Sequence, residues 1–246
     1  MRYAALATDY DGTLAAHGRV EDAGVAALDR LRAGGRAIIL VTGRELEDLR
    51  GAFPRLDRFD RVVAENGAVL HRPASGATTA LTPPLPARLV EALRRRDIRP
   101  LSVGRVIAAT RTPHEAAVLD TIRELGLDAE VAFNKGAVMI LPAGVSKAAG
   151  LTAALAELSL DPRQVVAVGD AENDHGFLRL CGLSVAVANA LPAVREECDL
   201  VTRGAATAGV VELIGRMIDT DFADHRPHPP QESETPLRPA GHRAGG

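Results

Sequence analysis

Asp9 and Asp11, separated by Tyr10 and followed by Gly12 and Thr13, close an apolar run that begins at Ala4. Two carboxylates at the end of a buried strand can flank one substrate atom in different roles, because the Gly12 turn lets the second side chain swing back over the first. A strand followed by an ordinary Asp-Gly turn accounts for the same residues, so the other motifs must decide. Thr42-Gly43-Arg44 closes a second apolar run, Arg36 to Val41. It offers a hydroxyl and an unobstructed main-chain N–H to a phosphate, with a helix capped by Thr42 as the alternative. A third run, Gln164 to Val168, enters Gly169-Asp170-Ala171-Glu172-Asn173-Asp174. Lysine occurs only twice, at Lys135 and Lys147, in an arginine-rich chain. A compact, flexible ammonium kept where arginine is the default cation makes both positions candidates for a functional charge.

These groups need a frame that brings them together. Helical periodicity over Glu21 to Arg32, a short helix from Glu45 to Gly51 and a strand from Arg61 to Ala64 complete a β-α-β-α-β pattern, which specifies a doubly wound α/β sheet. Asn66-Gly67 signals a hairpin, with Ala68 to His71 returning antiparallel. Residues 73–86 are rich in Pro, Gly and Thr and read as a crossing into an inserted unit. That unit carries a helix over Ala87 to Arg95, a strand over Leu101 to Thr110, a helix over His114 to Leu125, and strands near Glu130 to Phe133 and Ala137 to Leu141. Ser146 then caps a helix with Lys147 in its first turn. The expected organisation is a core over 1–75, a small α/β cap over 76–143, the core again over 144–220, and a disordered tail over 221–246. In that tail, which is rich in Pro, His and Gly, the pair His225 and His228 reads as solvated. In a parallel sheet the three strand ends lie along one edge, where ligands bind.

Composition narrows the function. Net charge is -3 and aromatic residues make up 3% of the chain, with no Trp, so nothing tracks a phosphate backbone or stacks on bases. Cys181 and Cys198 lack metal-ligand spacing and suit a reducing compartment. No membrane span or signal peptide is legible, and a cytoplasmic location is expected. Several acidic groups converging with one cation point to a hard divalent ion and an anionic substrate. Mg²⁺, which takes a few carboxylate or carbonyl oxygens and keeps water and substrate phosphate, suits Asp9, Asp170 and a carbonyl near Asp11. An Asp nucleophile with its ordinary pKa of about 3.9 is ionised at pH 7 unaided. What it needs is a phosphorus whose charge is screened, by metal on one side and Lys147 on the other, with Thr42 and N–H groups on the equatorial oxygens.

In this order and at these separations, TDYDGTL, VTGR, Lys147 and VGDAENDHGF resemble the four motifs of the haloacid dehalogenase superfamily of phosphohydrolases. The insertion sits where the Cof-like subgroup, subfamily IIB, carries an α/β cap, and ENGAVL resembles the segment before that cap. The resemblance covers residues 1–218. It implies a Mg²⁺-dependent phosphatase acting on a small phosphorylated metabolite through an aspartyl-phosphate. Asp9 would be the nucleophile and Asp11 the acid and base. Thr42 and the Gly43 amide would hold phosphoryl oxygens, with Lys147 neutralising charge. Asp170 would ligate Mg²⁺ and Asp174 would orient that ligand, which makes Asp9, Asp11, Asp170 and Asp174 the candidate metal set. Tyr10, Gly43, Arg44 and Asn173 are the candidate substrate contacts, with Lys135 reaching from the cap. Arg105 and Arg111 are weaker candidates. The short cap resembles those of phosphoglycolate or sugar-phosphate phosphatases. A phosphotransferase or mutase with the same intermediate is the alternative within enzymology, but the stretch between Asp11 and the second strand is too short for the cap such mutases carry there. A catalytically idle binding module would have lost Asp9 or Asp11. A monomer or homodimer is expected.

Overall fold

The computed structural model describes residues 1–134 and 136–223. In chain order the first half of the main domain comprises β1 (Ala5–Asp9), α1 (Asp22–Ala33), β2 (Ala37–Val41), α2 (Leu46–Ala52), β3 (Arg61–Ala64), β4 (Val69–Arg72) and β5 (Ala77–Ala80). The insertion follows as α3 (Ala87–Arg95), β6 (Ser102–Val103), β7 (Ala108–Arg111), α4 (Glu115–Glu124), β8 (Ala129–Asn134) and β9 (Ala137–Pro142). The chain then returns through α5 (Lys147–Leu158), β10 (Val165–Gly169), α6 (His175–Leu180), β11 (Leu183–Ala186), α7 (Pro192–Glu197), β12 (Leu200–Val201) and α8 (Ala206–Asp219).

The main sheet has the order β12-β11-β10-β1-β2-β3-β4-β5. It is parallel from β12 to β3, and β4 and β5 add antiparallel. Every residue of β1 and β10 is buried, which is why they read as unbroken apolar runs: helices cover both faces of the sheet. Helices α1 and α8 pack together, while α5 lies against β2, β3 and β4 and beside α6.

A second sheet, β6-β7-β9-β8, is antiparallel throughout. Its two faces have different partners, as the period of two requires. Ala108, Val138 and Ile140 pack with Leu89, Leu93, Val118 and Ile122 of α3 and α4. Ala109, Met139, Leu141 and Ala132, on the other face, join the core of the main domain.

Three local expectations need correction. The strand expected over Leu101 to Thr110 is a hairpin, β6 and β7, because the chain reverses at Gly104, whose N–H donates to the Ile107 carbonyl at 2.9 Å. Ala77–Ala80 extends the main sheet by pairing with β4, although it lies within the stretch assigned to the cap. The tail was expected to begin at Asp221, yet Asp221 accepts from the Arg36 guanidinium at 3.2 Å and Phe222 is fully buried, edge-on to Tyr3. The main-chain N–H groups of Arg2 and Tyr3 also donate to Asp221, and the Arg2 guanidinium donates to the Phe222 carbonyl at 3.0 Å, so these residues are docked on the chain's first residues. Residues 224–246, with His225 and His228, lie outside the described residues, as does Lys135. Among the described residues no helix is long and apolar enough to cross a membrane.

Candidate active site

β1 lies between β2 and β10, so the carboxyl ends of three neighbouring strands open into one crevice. Asp9 is the last residue of β1, Thr42 follows β2, and Asp170 follows β10. Lys147 enters from the first turn of α5, which Ser146 caps by accepting the Ala149 N–H as its sequence suggested. One carboxylate oxygen each from Asp9, Asp170 and Asp174 fall within 4.8 Å of one another, and all three residues are buried. The Lys147 ammonium, 2% exposed, donates to Asp9 Oδ1 and to Asp174 Oδ1, each at 2.6 Å. Asp174 turns its other oxygen to the N–H groups of Asp170 and Ala171, at 2.9 and 3.0 Å, and so orients the turn that carries Asp170. Thr13 Oγ1 donates to Asp170 at 3.2 Å.

The cluster contains three carboxylates and one ammonium. Burial alone would lower the Lys147 pKa, but Asp174 and Asp9 reverse that and hold it raised. Asp9 fares differently. Burial pushes its carboxyl up to about 7, Lys147 offsets this only in part, and Asp174 and Asp170 add to the rise. One ammonium cannot neutralise three buried carboxylates, so the acid side carries the deficit. The sequence-based expectation of an unperturbed nucleophile is thereby corrected. A divalent cation has the charge to remove the deficit, and hard carboxylate oxygens are its preferred donors. The residues therefore fit Mg²⁺.

The Asp11 carboxylate lies outside the group formed by Asp9, Asp170 and Asp174, and the metal contact expected there is through a main-chain carbonyl. The carboxylate is 37% exposed and clamped by Arg44, whose Nε and second terminal nitrogen donate at 2.7 and 2.8 Å. Arg44 also pairs with Asp48 at 2.7 Å and lies 5.2 Å from the centre of the Tyr10 ring. The guanidinium is thus committed to positioning Asp11. Tyr10, expected among the substrate contacts, is fully buried, donates its hydroxyl to the Gly18 carbonyl at 3.1 Å and packs against Phe53. An apolar ring beside a polar turn finds more contact inside than over the crevice.

The loop from Thr42 to Arg44 follows directly on β2. Thr42 is buried and its hydroxyl accepts from the Arg44 N–H at 3.1 Å. A Cβ placed on Gly43 would lie 3.4 Å from Met139 Sδ and 4.0 Å from Asn173 Nδ2, so the inserted sheet forms a low ceiling over this loop. Asn173 donates to Asn66 Oδ1 at 3.3 Å, and its own Oδ1 is buried without a hydrogen-bond partner. A buried amide oxygen in that condition is satisfied when a ligand or water supplies a donor. Arg105 contributes a main-chain N–H, to Glu65 at 2.9 Å. Met139 and Glu65 carry no chemical signal in the sequence; Glu65 is marked there only as the first residue of the ENGAVL segment.

The chain matches the haloacid dehalogenase-like hydrolases over residues 6–99 and 102–214. It belongs to that family. It is 32% identical over 220 residues to a phosphoglycolate phosphatase of Methanothermobacter thermautotrophicus, a match that spans 87% of this chain and 98% of the relative. A phosphoglycolate phosphatase of Halorubrum lacusprofundi is 36% identical over 220 residues, covering 84% and 95%. Among solved structures, a putative HAD/COF-like hydrolase from Plasmodium vivax superposes with a TM-score of 0.76 over 89% of this chain and 96% of that one, at 18% identity. At that identity the likeness is one of fold, and the fold is the Cof-like arrangement of core and inserted sheet.

Proposed function

We propose that this haloacid dehalogenase-family chain is a Mg²⁺-dependent phosphatase that hydrolyses a short phosphorylated metabolite, of the phosphoglycolate class, through an aspartyl-phosphate. The observation that carries the reading is the buried ammonium of Lys147 between Asp9 and Asp174, with Asp170 beside them and Met139 above Gly43. The names of the two relatives support the substrate class. So does the low ceiling, which suits a leaving group of few atoms.

In this reading Asp9 attacks phosphorus, and the ester oxygen departs with a proton from Asp11. Asp11 then takes a proton from water, which attacks the phosphorus of the aspartyl-phosphate and releases phosphate and Asp9. Lys147 keeps Asp9 aimed and balances charge on the phosphoryl oxygens, while Thr42 Oγ1 and the Gly43 N–H hold those oxygens. Arg44 keeps Asp11 at the mouth of the crevice. Asp9 and Asp170 would hold Mg²⁺, with Asp174 orienting the turn, and the ion when bound supplies the positive charge that screens the phosphorus and favours ionised Asp9.

The test is phosphate release from phosphoglycolate, hexose phosphates, nucleoside monophosphates and p-nitrophenyl phosphate, with and without Mg²⁺, beside Asp9→Asn. Metal-dependent release that vanishes in the variant is expected, with phosphoglycolate among the best substrates. A folded wild type that releases nothing refutes the reading.

A further inference from the structure

Glu65 takes no part in the reaction above, yet its side chain is tightly held. It is 2% exposed and accepts main-chain N–H bonds from Arg105 at 2.9 Å, Val106 at 2.8 Å and Ile107 at 3.1 Å. Those three donors belong to the turn between β6 and β7 of the insertion. A Cβ at Gly104 would come within 2.7 to 2.9 Å of the Glu65 carboxylate, so hairpin and carboxylate are in direct contact.

The other end of Glu65 is rooted in the site. Glu65, Asn66 and Gly67 hold consecutive left-handed conformations, with φ of 51°, 55° and 107°. That winding lets the Glu65 N–H reach the Arg44 carbonyl at 2.9 Å and the Asn66 N–H reach the Thr42 carbonyl at 3.0 Å. Asn66 Oδ1 accepts from Asn173. Gly67 abuts Ser146 so closely that a Cβ would lie 1.9 Å from its carbonyl oxygen. One tripeptide thus touches the strand end with Thr42, the start of the Lys147 helix, the Asn173 turn and the inserted sheet.

We infer that Glu65 is a positioning residue that sets the height of the inserted sheet above the phosphate loop, and with it the size of leaving group the site encloses. The inference rests on the phosphatase reading. Its physical basis is continuity: β7 begins one residue after the Glu65-bound turn, Ala109 of β7 pairs with Met139, and Met139 lies over Gly43. Three hydrogen bonds to a charged acceptor are directional, so the turn cannot tilt without breaking them. Released, the sheet would rise from the loop, and short substrates would lose their ceiling while bulky ones gained room.

The test pairs one variant from each side of the contact, Glu65→Gln and Gly104→Ala, and their combination. Glutamine sets N–H against N–H, and alanine pushes the turn off the carboxylate. Hydrogen exchange at Arg105, Val106 and Ile107 should quicken at least tenfold in each, with β1 and β10 amides unchanged. The kcat/KM for phosphoglycolate should fall about tenfold or more, chiefly through KM, while that for p-nitrophenyl phosphate holds or rises. The double variant should match the worse single one, since both break one contact. Unchanged exchange, a parallel fall on both substrates, or additive effects would overturn the inference. If the wild type hydrolyses neither substrate, the phosphatase reading itself falls, and the exchange and coupling results alone decide whether Glu65 holds the sheet.

Discussion

Asp9→Asn should stabilise the metal-free protein at alkaline pH. The carboxyl of Asp9 is pushed from 3.8 up to about 7 in the folded chain, foremost by burial and then by the neighbouring Asp174 and Asp170 against the pull of Lys147. A folded-state pKa above the unfolded one means that the native state favours the protonated form. The associated stability is fully present below about 4 and is lost as pH rises through about 7. The difference of about 3 pKa units, 7 minus 3.8, at 1.36 kcal/mol per unit, sets a ceiling of about 4 kcal/mol at pH 8. Asparagine has nearly the same shape, still accepts from Lys147 and carries no charge to desolvate. Urea denaturation without metal should therefore show the variant more stable than wild type by roughly 2 to 4 kcal/mol at pH 8, with the gap closing towards pH 4. Millimolar Mg²⁺ should stabilise wild type more than the variant, because an ion that binds the native state selectively adds its own binding energy. Phosphate release should fall at least a thousandfold. A variant no more stable than wild type at pH 8 without metal, or a gap that does not depend on pH, would refute the argument that the cluster is short of positive charge.

Other outcomes follow from individual contacts. Tyr10→Phe removes the hydroxyl bond to Gly18 and should cost about 1 kcal/mol in denaturation while leaving kcat and KM unchanged; a raised KM would restore Tyr10 to the substrate contacts. Arg44→Gln releases Asp11 and should lower kcat roughly a hundredfold in steady-state assays, the scale of a displaced general acid, whereas Asp48→Ala should change it less than threefold. Phe222→Ala empties a fully buried site against Tyr3 and should lower stability by about 3 kcal/mol, measured by thermal or urea unfolding, although it lies beyond the last helix.

The site's ingredients were legible because each is announced locally. A buried parallel strand must be apolar throughout, so its end at Asp9, Thr42 or Gly169-Asp170 is abrupt, and Ser146 marks the start of the Lys147 helix by the chemistry of its cap. The conformation of Asn66-Gly67 was legible for the same reason, since few residues accept a left-handed backbone. Partner choice was not. Arg44 could serve a phosphate as readily as a carboxylate, and its commitment to Asp11 depends on two strand ends meeting side by side. Tyr10 occupies a strand end like the aspartates, but which way its ring turns depends on Phe53 and the Gly18 carbonyl. Ala77–Ala80 reads as a linker because it is an edge strand that packs little, and Phe222 reads as tail because its partners are Tyr3, at the far end of the chain, and Arg216 of the last helix.

The sequence by itself determined the residue types, their order and their placement at the ends of three strands and one helix, because those properties follow from local periodicity and capping. Only the tertiary structure decided which charges meet. It set one ammonium against three buried carboxylates, turned Asp11 to Arg44, and hung the inserted sheet from Glu65 above Gly43. Those pairings join residues distant in the chain, and their strength depends on burial, which no local pattern of residues specifies.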